Sequence, residues 1–341
     1  MRSIVEGASC RCGVVGSKLM KAVIARDFAP IDQLDYADWP EPQATGDTVV
    51  IQSEAIGVNF PDGLLVQGLY QAKPPLPFVP GMEAAGRVVA VGPEVKRLKV
   101  GDRALAMLTH GGYAEKVGAP ERLMMKLPDG MPAAEACALF GGYGTALHAL
   151  RQRAELKSGE TLCVLGASGL TGLSAVQIGK ALGARVVAVA SSEAKQAICR
   201  EAGADIVIGY DGLKDRLKEL TGGKGVDVGF DPVGGDMFDA LARSMAWRGR
   251  LLVIGFASGE IPKFPVNLAL VKGFSVVGVF MGGFVEREPK LHSENLDQLV
   301  DWYFSGAIKP LIEGVFPLAE AADVLQRVHT RGVSGKLILQ P

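Results

Sequence analysis

The stretch 161–184, TLCVLGASGLTGLSAVQIGKALGA, constrains this chain more than any other. It starts with the apolar run Thr161-Leu162-Cys163-Val164-Leu165, which suits a strand buried on both faces. Gly166 then breaks the run, and Ala175, Ile178 and Leu182 recur at helical spacing. Strand, glycine turn and helix in that order give a glycine pattern its meaning as a dinucleotide fingerprint. Gly169 has no Cβ, so backbone N–H groups can approach a pyrophosphate, and Gly172 lets the helix pack closely on the strand. The helix start adds unpaired N–H groups and a partial positive charge. Ala167, Ser168, Gly169, Leu170, Thr171 and Gly172 are therefore expected to cradle a nucleotide pyrophosphate.

A chain of 341 residues exceeds a comfortable single core, so two domains are expected. The net charge of −1 argues against nucleic acid or an anionic membrane as a main partner. No apolar run reaches membrane-spanning length. The 44 glycines are about twice the ordinary share and suit many tight turns. Of the five cysteines, Cys163 and Cys199 fall in an apolar strand and a helix as buried thiols, and Cys10-Arg11-Cys12 has no second pair to complete a metal site. Reduced, cytoplasmic chemistry is the expectation. Residues 1–19 lack the continuous apolar core of a secretory signal. They are expected to form a disordered or upstream-start extension before Met20, with an organelle transit peptide as the alternative.

From Met20 the signals are β-rich, with strands expected at 21–25, 48–58, 83–91, 104–108 and 113–117 and a turn-rich segment at 30–46. Short strands with Gly/Pro punctuation suggest a β-barrel-like unit. Residues 132–150 turn helical, interrupted by Gly141-Gly142-Tyr143-Gly144. Strands then alternate with helices: strands at 161–165, 185–190, 205–208, 226–230, 250–254 and 274–280, helices near 170–183, 193–202, 213–220, 235–246 and 264–271. That alternation argues for an α/β doubly wound parallel sheet. Beyond Gly283 come a helix at 291–305, another at 317–328, and a strand at 335–340 expected to return to the first unit.

The strand at 185–190 leads into Ser191-Ser192-Glu193, with Lys195 just inside the next helix. A carboxylate at this point would select a free ribose 2′-hydroxyl. Two hydroxyls and an ammonium suit a 2′-phosphate instead, so NADP(H) is favoured, with Glu193 the dissenting residue. Asp231-Pro232-Val233-Gly234-Gly235, Ile254-Gly255-Phe256 and Phe280-Met281-Gly282-Gly283 each follow a strand, at the edge where open α/β sheets bind ligands. Their glycines would let backbone line a nicotinamide; ordinary turn glycines are the alternative.

Asn59-Phe60-Pro61-Asp62, residues 75–86 (PLPFVPGMEAAG), Gly101-Asp102-Arg103, the 167–172 turn, Asp231-Pro232-Val233-Gly234-Gly235 and Gly335-Lys336-Leu337 occur in an order that resembles the medium-chain dehydrogenase/reductases. The subgroup is similar to the zinc-free, ζ-crystallin-like quinone oxidoreductases, over about residues 20–341. The resemblance implies a Rossmann domain at 146–283 inserted in a GroES-like catalytic domain formed by 20–145 and 284–341. It also implies Tyr210, Gly255, Phe256, Phe280, Met281 and Lys336 as cofactor contacts beside Ser191, Ser192 and Lys195, and a homodimer paired through the strand at 274–280. Zinc-dependent relatives carry a Cys at Asn59, a His at Met82 and a Cys at Cys137. Only the last thiol remains, Met82 is a poor ligand, and no metal is expected.

Without zinc to polarise a carbonyl, simple alcohol oxidation lacks its usual Lewis acid. Hydride delivery from NADPH to a quinone is the expected reaction, with Asn59 near the nicotinamide as a hydrogen-bond donor. Many such enzymes carry a tyrosine where this chain has Leu64. Tyr70 instead matches a tyrosine of enoyl-thioester reductases, which could bond a carbonyl or deliver a proton. An enoyl-thioester or enone reductase is therefore the nearest alternative. A structural or regulatory NADPH-binding protein with little turnover is the alternative of another class.

Overall fold

The computed structural model describes residues 18–330 and 332–341. The proposed extension lies outside the described residues except for Lys18 and Leu19, as do Cys10 and Cys12. Leu19 already opens the first strand. The strands are β1 (Leu19–Ile24), β2 (Asp35–Pro40), β3 (Thr48–Val58), β4 (Glu83–Val91), β5 (Arg103–Met107), β6 (Lys116–Pro120) and β7 (Met124–Lys126). In the middle of the chain follow β8 (Thr161–Val164), β9 (Arg185–Val189), β10 (Ile206–Ile208), β11 (Val226–Asp231), β12 (Met245–Val253) and β13 (Ser275–Gly278). The last two are β14 (Ile312–Pro317) and β15 (Lys336–Gln340).

The helices are α1 (Phe60–Val66), α2 (Ala133–Ala138), α3 (Gly144–Leu147), α4 (Leu170–Ala181), α5 (Glu193–Glu201), α6 (Leu213–Leu220) and α7 (Asp236–Arg243). They continue with α8 (Asn267–Lys272), α9 (Met281–Arg287), α10 (Pro289–Phe304) and α11 (Ala321–His329).

The apolar strands of the middle segment pair in the order β10-β9-β8-β11-β12-β13, and every pair is parallel. This is the doubly wound order of a dinucleotide fold, whose strand order reverses between β8 and β11. Leu162, Cys163 and Val164 of β8 are fully buried, as a central strand covered on both faces requires. The other large sheet runs β14-β15-β3-β4-β5-β7, with β6 also on β3. Its β15 comes from the C-terminus and pairs antiparallel with β3, Leu337 opposite Val58.

Several expected boundaries moved for identifiable reasons. Gly141, Gly142 and Gly144 do not interrupt the helix. Wider π turns at Leu139–Tyr143 and His148–Arg153 join α2 and α3 into one helical run over 133–153. These glycines are there for close approach: a Cβ on Gly141 would sit 2.7 Å from a Glu83 carboxylate oxygen, and one on Gly142 would meet Leu170 at 2.5 Å. β12 starts five residues earlier than expected, because Arg248 at φ 62° bends a strand whose register with β11 shifts. The segment 274–280 shortens to four strand residues, since Met281 already starts α9. β2 lies inside the segment expected to be turns, and neither α1 nor α9 was expected as a helix.

Candidate active site

The glycine turn sits at the C-terminal end of β8, beside the strand-order reversal. Gly166 has φ +57°, and its N–H donates to the Tyr210 hydroxyl at 2.9 Å. Gly169 is the N-cap of α4, and no side chain caps that helix. Its first-turn N–H groups are left to an anion. A Cβ on Gly169 would meet only the Gly166 oxygen, at 3.6 Å, so the approach is open. Gly172 is different: a Cβ there would overlap the Gly166 carbonyl and come within 2.7 Å of the Ala167 Cα. Ala167 donates its N–H to Val189, and Ser168 accepts one from Gly335, which brings the entrance of β15 onto the turn. Leu170 packs at the edge of the main core. The geometry fits a pyrophosphate over residues 166–172.

Past the end of β9, at the start of α5, the Glu193 carboxylate pairs with Arg200 at 2.7 Å. The Ser192 hydroxyl caps the same helix by accepting the Lys195 N–H. Ser191, Gln196, Gly209, Tyr210 and Arg216 line a cavity of about 480 Å³, which Asp211 also borders. Arg216, on α6, was not singled out by sequence. It lies 25 residues beyond Ser191, and only the packing of α6 brings its guanidinium to that wall.

At the next strand end, buried Asp231 organises its turn. Its Oδ1 accepts from the Val233 and Gly234 N–H groups at 2.7 and 2.9 Å. Burial raises its proton affinity despite these two donors. A Cβ on Gly255 would meet only the Pro232 oxygen, at 3.5 Å, and Phe256 packs against Gly234. Met281 approaches Gly144 on the helical run, and Phe280 is exposed at the start of α9.

Asn59 and Lys336 belong to a second cluster, held by α1, β4 and β15, while Tyr70 packs with a separate small apolar group. Asn59 caps α1. Its Oδ1 accepts from the Lys336 ammonium at 2.7 Å, and its Nδ2 donates to Glu83 at 3.2 Å and to Gly57 O at 3.4 Å. Lys336 also pairs directly with Glu83, both being buried. The Lys336 ammonium is thus committed to Asn59 and Glu83, while its backbone neighbour Gly335 touches the nucleotide turn. Tyr70 is half-buried against the small apolar group of Ala25, Leu65 and Phe78. Burial, then the nearby Asp62, raises its proton affinity. Cys137 packs nearby with its Sγ 3.7 Å from Ala55 O, and burial pushes its thiol up.

Three members of this cluster, Glu83, Asp62 and Tyr113, carried no role in the sequence. Asp62 and Glu83 lay inside quoted motifs, but their partners lie up to 253 residues away. Among the described residues, no three His, Cys, Asp or Glu side chains gather as metal ligands. The donor set does not fit zinc: Met82 is a thioether, Asn59 is an amide, and an ammonium already bonds that amide and Glu83.

A nucleotide turn at the strand reversal, with a polar cluster joined to it through β15, defines a two-unit, nicotinamide-dependent oxidoreductase. Residues 45–129 match the Alcohol dehydrogenase GroES-like domain family and 171–302 the Zinc-binding dehydrogenase family. The chain is 38% identical to a Quinone oxidoreductase-like protein 2 homolog of Nematostella vectensis, over 85% of this chain and 81% of that one. It is 36% identical to a Quinone oxidoreductase of Pseudomonas aeruginosa over 90% and 95%. The structure of mycobacterial Rv1454c complexed with NADPH superposes with TM-score 0.89 at 34% identity, covering 94% of this chain and all of that one. The chain belongs to the medium-chain dehydrogenase/reductases, in their quinone oxidoreductase-like subgroup, and its cofactor is NADP(H).

Proposed function

We propose that this protein is an NADPH-dependent quinone oxidoreductase that works without zinc. The observation that carries this is the Lys336 ammonium bonded to both Asn59 and Glu83. It occupies the cluster of Asn59 and Glu83, and the positions of Asn59, Met82 and Cys137 are those at which zinc-dependent relatives keep metal ligands. Bound NADPH supplies the hydride. The backbone at Gly255 and Phe256 lines the nicotinamide end, while Ser191, Lys195, Tyr210 and Arg216 hold the 2′-phosphate end. Asn59, with its amide fixed at both ends, is a rigid wall of the acceptor site, and the Tyr70 hydroxyl donates a proton to the acceptor oxygen. Three buried free cysteines, Cys137, Cys163 and Cys199, fit a reducing cytoplasm. No helix among the described residues is long and apolar enough to cross a membrane.

Purified protein should oxidise NADPH with benzoquinone or phenanthrenequinone faster than with an enoyl-CoA, and product analysis should show the hydroquinone. A preference for enoyl-CoA would assign the activated-alkene reaction instead. NADPH binding without turnover across the panel would leave only a nucleotide-binding role. Tyr70→Phe should lower kcat at least roughly tenfold on the preferred acceptor if its hydroxyl participates.

The protein works as a homodimer in this proposal, joined through β13. That strand is an edge of the parallel sheet, and Trp247, Leu270 and Val271 expose large apolar surfaces around it. Light scattering should give twice the chain mass, falling to one chain in Val271→Asp/Leu270→Asp. A monomeric wild type would reject the pairing.

A further inference from the structure

α4 carries the nucleotide turn at its start, and two contacts hold it against the β14–β15 edge of the second sheet. At the entrance of α4, the Gly335 N–H donates to Ser168 O at 2.9 Å, and Gly335 bridges Gly169 in parallel. Further along α4, the Gln177 amide grips the backbone of Lys309, just before β14. Its Oε1 accepts the Lys309 N–H at 2.7 Å, and its Nε2 donates to Lys309 O at 3.1 Å. One side-chain amide thus satisfies both backbone polar groups of a single residue, as a neighbouring strand would. The buried Tyr143 hydroxyl lies 3.0 Å from Gln177 Oε1 and 3.1 Å from Lys309 O, and fixes the pair from the helical run.

The strands behind these contacts are themselves pinned. Gly335 has φ +71°, and a Cβ there would overlap the Leu311 carbonyl, which also accepts the Lys336 N–H at 2.9 Å. Lys336 is anchored in turn through its ammonium to Asn59 and Glu83. Ile312 pairs with Lys336 across the parallel β14–β15 ladder, which ties the two contacts together. Ile308, beside Lys309, is buried in the same core as Ala175 and Ile178 of α4. At about 1.5 Å of rise per residue, Gln177 lies about 12 Å along α4 from Gly169, so a swing of the helix about one contact is resisted by the other.

We propose that NADP(H) affinity is set from the second sheet, with Gln177 and Gly335 as positioning residues that hold the first-turn N–H groups of α4 where the pyrophosphate needs them. Gln177 is not part of the turn and acts through α4. The physical reason is pre-organisation: a turn already held in its binding geometry loses less freedom when the anion arrives. The coupling is reciprocal, so an occupied turn stabilises the Lys309 and Gly335 contacts by the factor with which they strengthen binding. The clamp needs the NADP(H) site alone, and it stands whether the preferred acceptor is a quinone or an activated alkene.

Gln177→Met keeps the length of the side chain and removes its bonds to Lys309 and Tyr143. Fluorescence titration should show NADPH binding weakened roughly fivefold or more, within the usual range of coupling between sites. The rise in melting temperature produced by a fixed NADPH concentration should shrink with it. A second readout needs no substitution: hydrogen exchange at the Lys309 and Gly335 amides of the wild type should slow when NADP⁺ is added. In Gln177→Met the Gly335 amide should exchange faster than in wild type at the same NADP⁺ concentration. Unchanged NADPH affinity in a folded Gln177→Met, with its melting temperature lowered equally with and without NADPH, would reduce the clamp to a packing contact and overturn the proposal. Wild-type exchange at Lys309 that does not respond to NADP⁺ overturns it as well, and does so even if Gln177→Met fails to fold.

Discussion

Lys336→Met is expected to destabilise the fold by about 3–5 kcal/mol, the usual cost of leaving a buried charge without its partner. Lys336 and Glu83 are both almost fully buried, and among the described residues the ammonium is the only cation paired with that carboxylate. Removing it leaves Glu83 with the Asn59 amide at 3.2 Å as a remaining donor, which is too little for an ion in that environment. Lys336→Met/Glu83→Gln should recover most of the loss, because both charges then leave together. Urea denaturation of the wild type, both single variants and the double variant measures this as a cycle. A single Lys336→Met within about 1 kcal/mol of wild type would show that the pair is hydrated rather than buried.

Gly172→Ala is expected to weaken NADPH binding at least roughly tenfold, about 1.4 kcal/mol. It should also cost about 1–3 kcal/mol of stability, as overpacking does. The added methyl would overlap backbone, the Gly166 carbonyl and the Ala167 Cα, and neither can rotate aside as a side chain would. α4 must then move off β8, and its first-turn N–H groups move with it. Gly332→Ala is the matched control, since a Cβ there meets nothing within 4 Å and its φ carries no strain. Fluorescence titration with NADPH and thermal melts of both variants read the two effects. Unchanged affinity in Gly172→Ala would show that the turn tolerates a wider helix–strand spacing.

The nucleotide half was legible in the sequence because its signals are local. A strand of apolar residues, a glycine turn and a helix face occupy 24 consecutive positions, and close approach dictates glycine at particular points. The alternation of strands and helices fixed the parallel sheet for the same reason. Boundaries slipped where a tertiary contact overrode a local signal. The glycines at 141–144 read as an interruption, yet they let a helix pass close to Glu83 and Leu170. Glu193 read as an argument against a 2′-phosphate, and the structure pairs it with Arg200, two turns along the same helix face.

The polar cluster was not legible in this way. Its residues are single letters in separate segments, and the bond from Lys336 to Asn59 spans 277 positions. No periodicity marks such a contact, because hydrogen bonds between side chains depend on which strands become neighbours. The sequence by itself determined the nucleotide, since glycine geometry and helix termini are written within one element. Only the tertiary structure decided that Asn59 joins the buried Asp62, Glu83 and Lys336 in one polar cluster, because β15 must first pair with β3 before the ammonium meets its carboxylate.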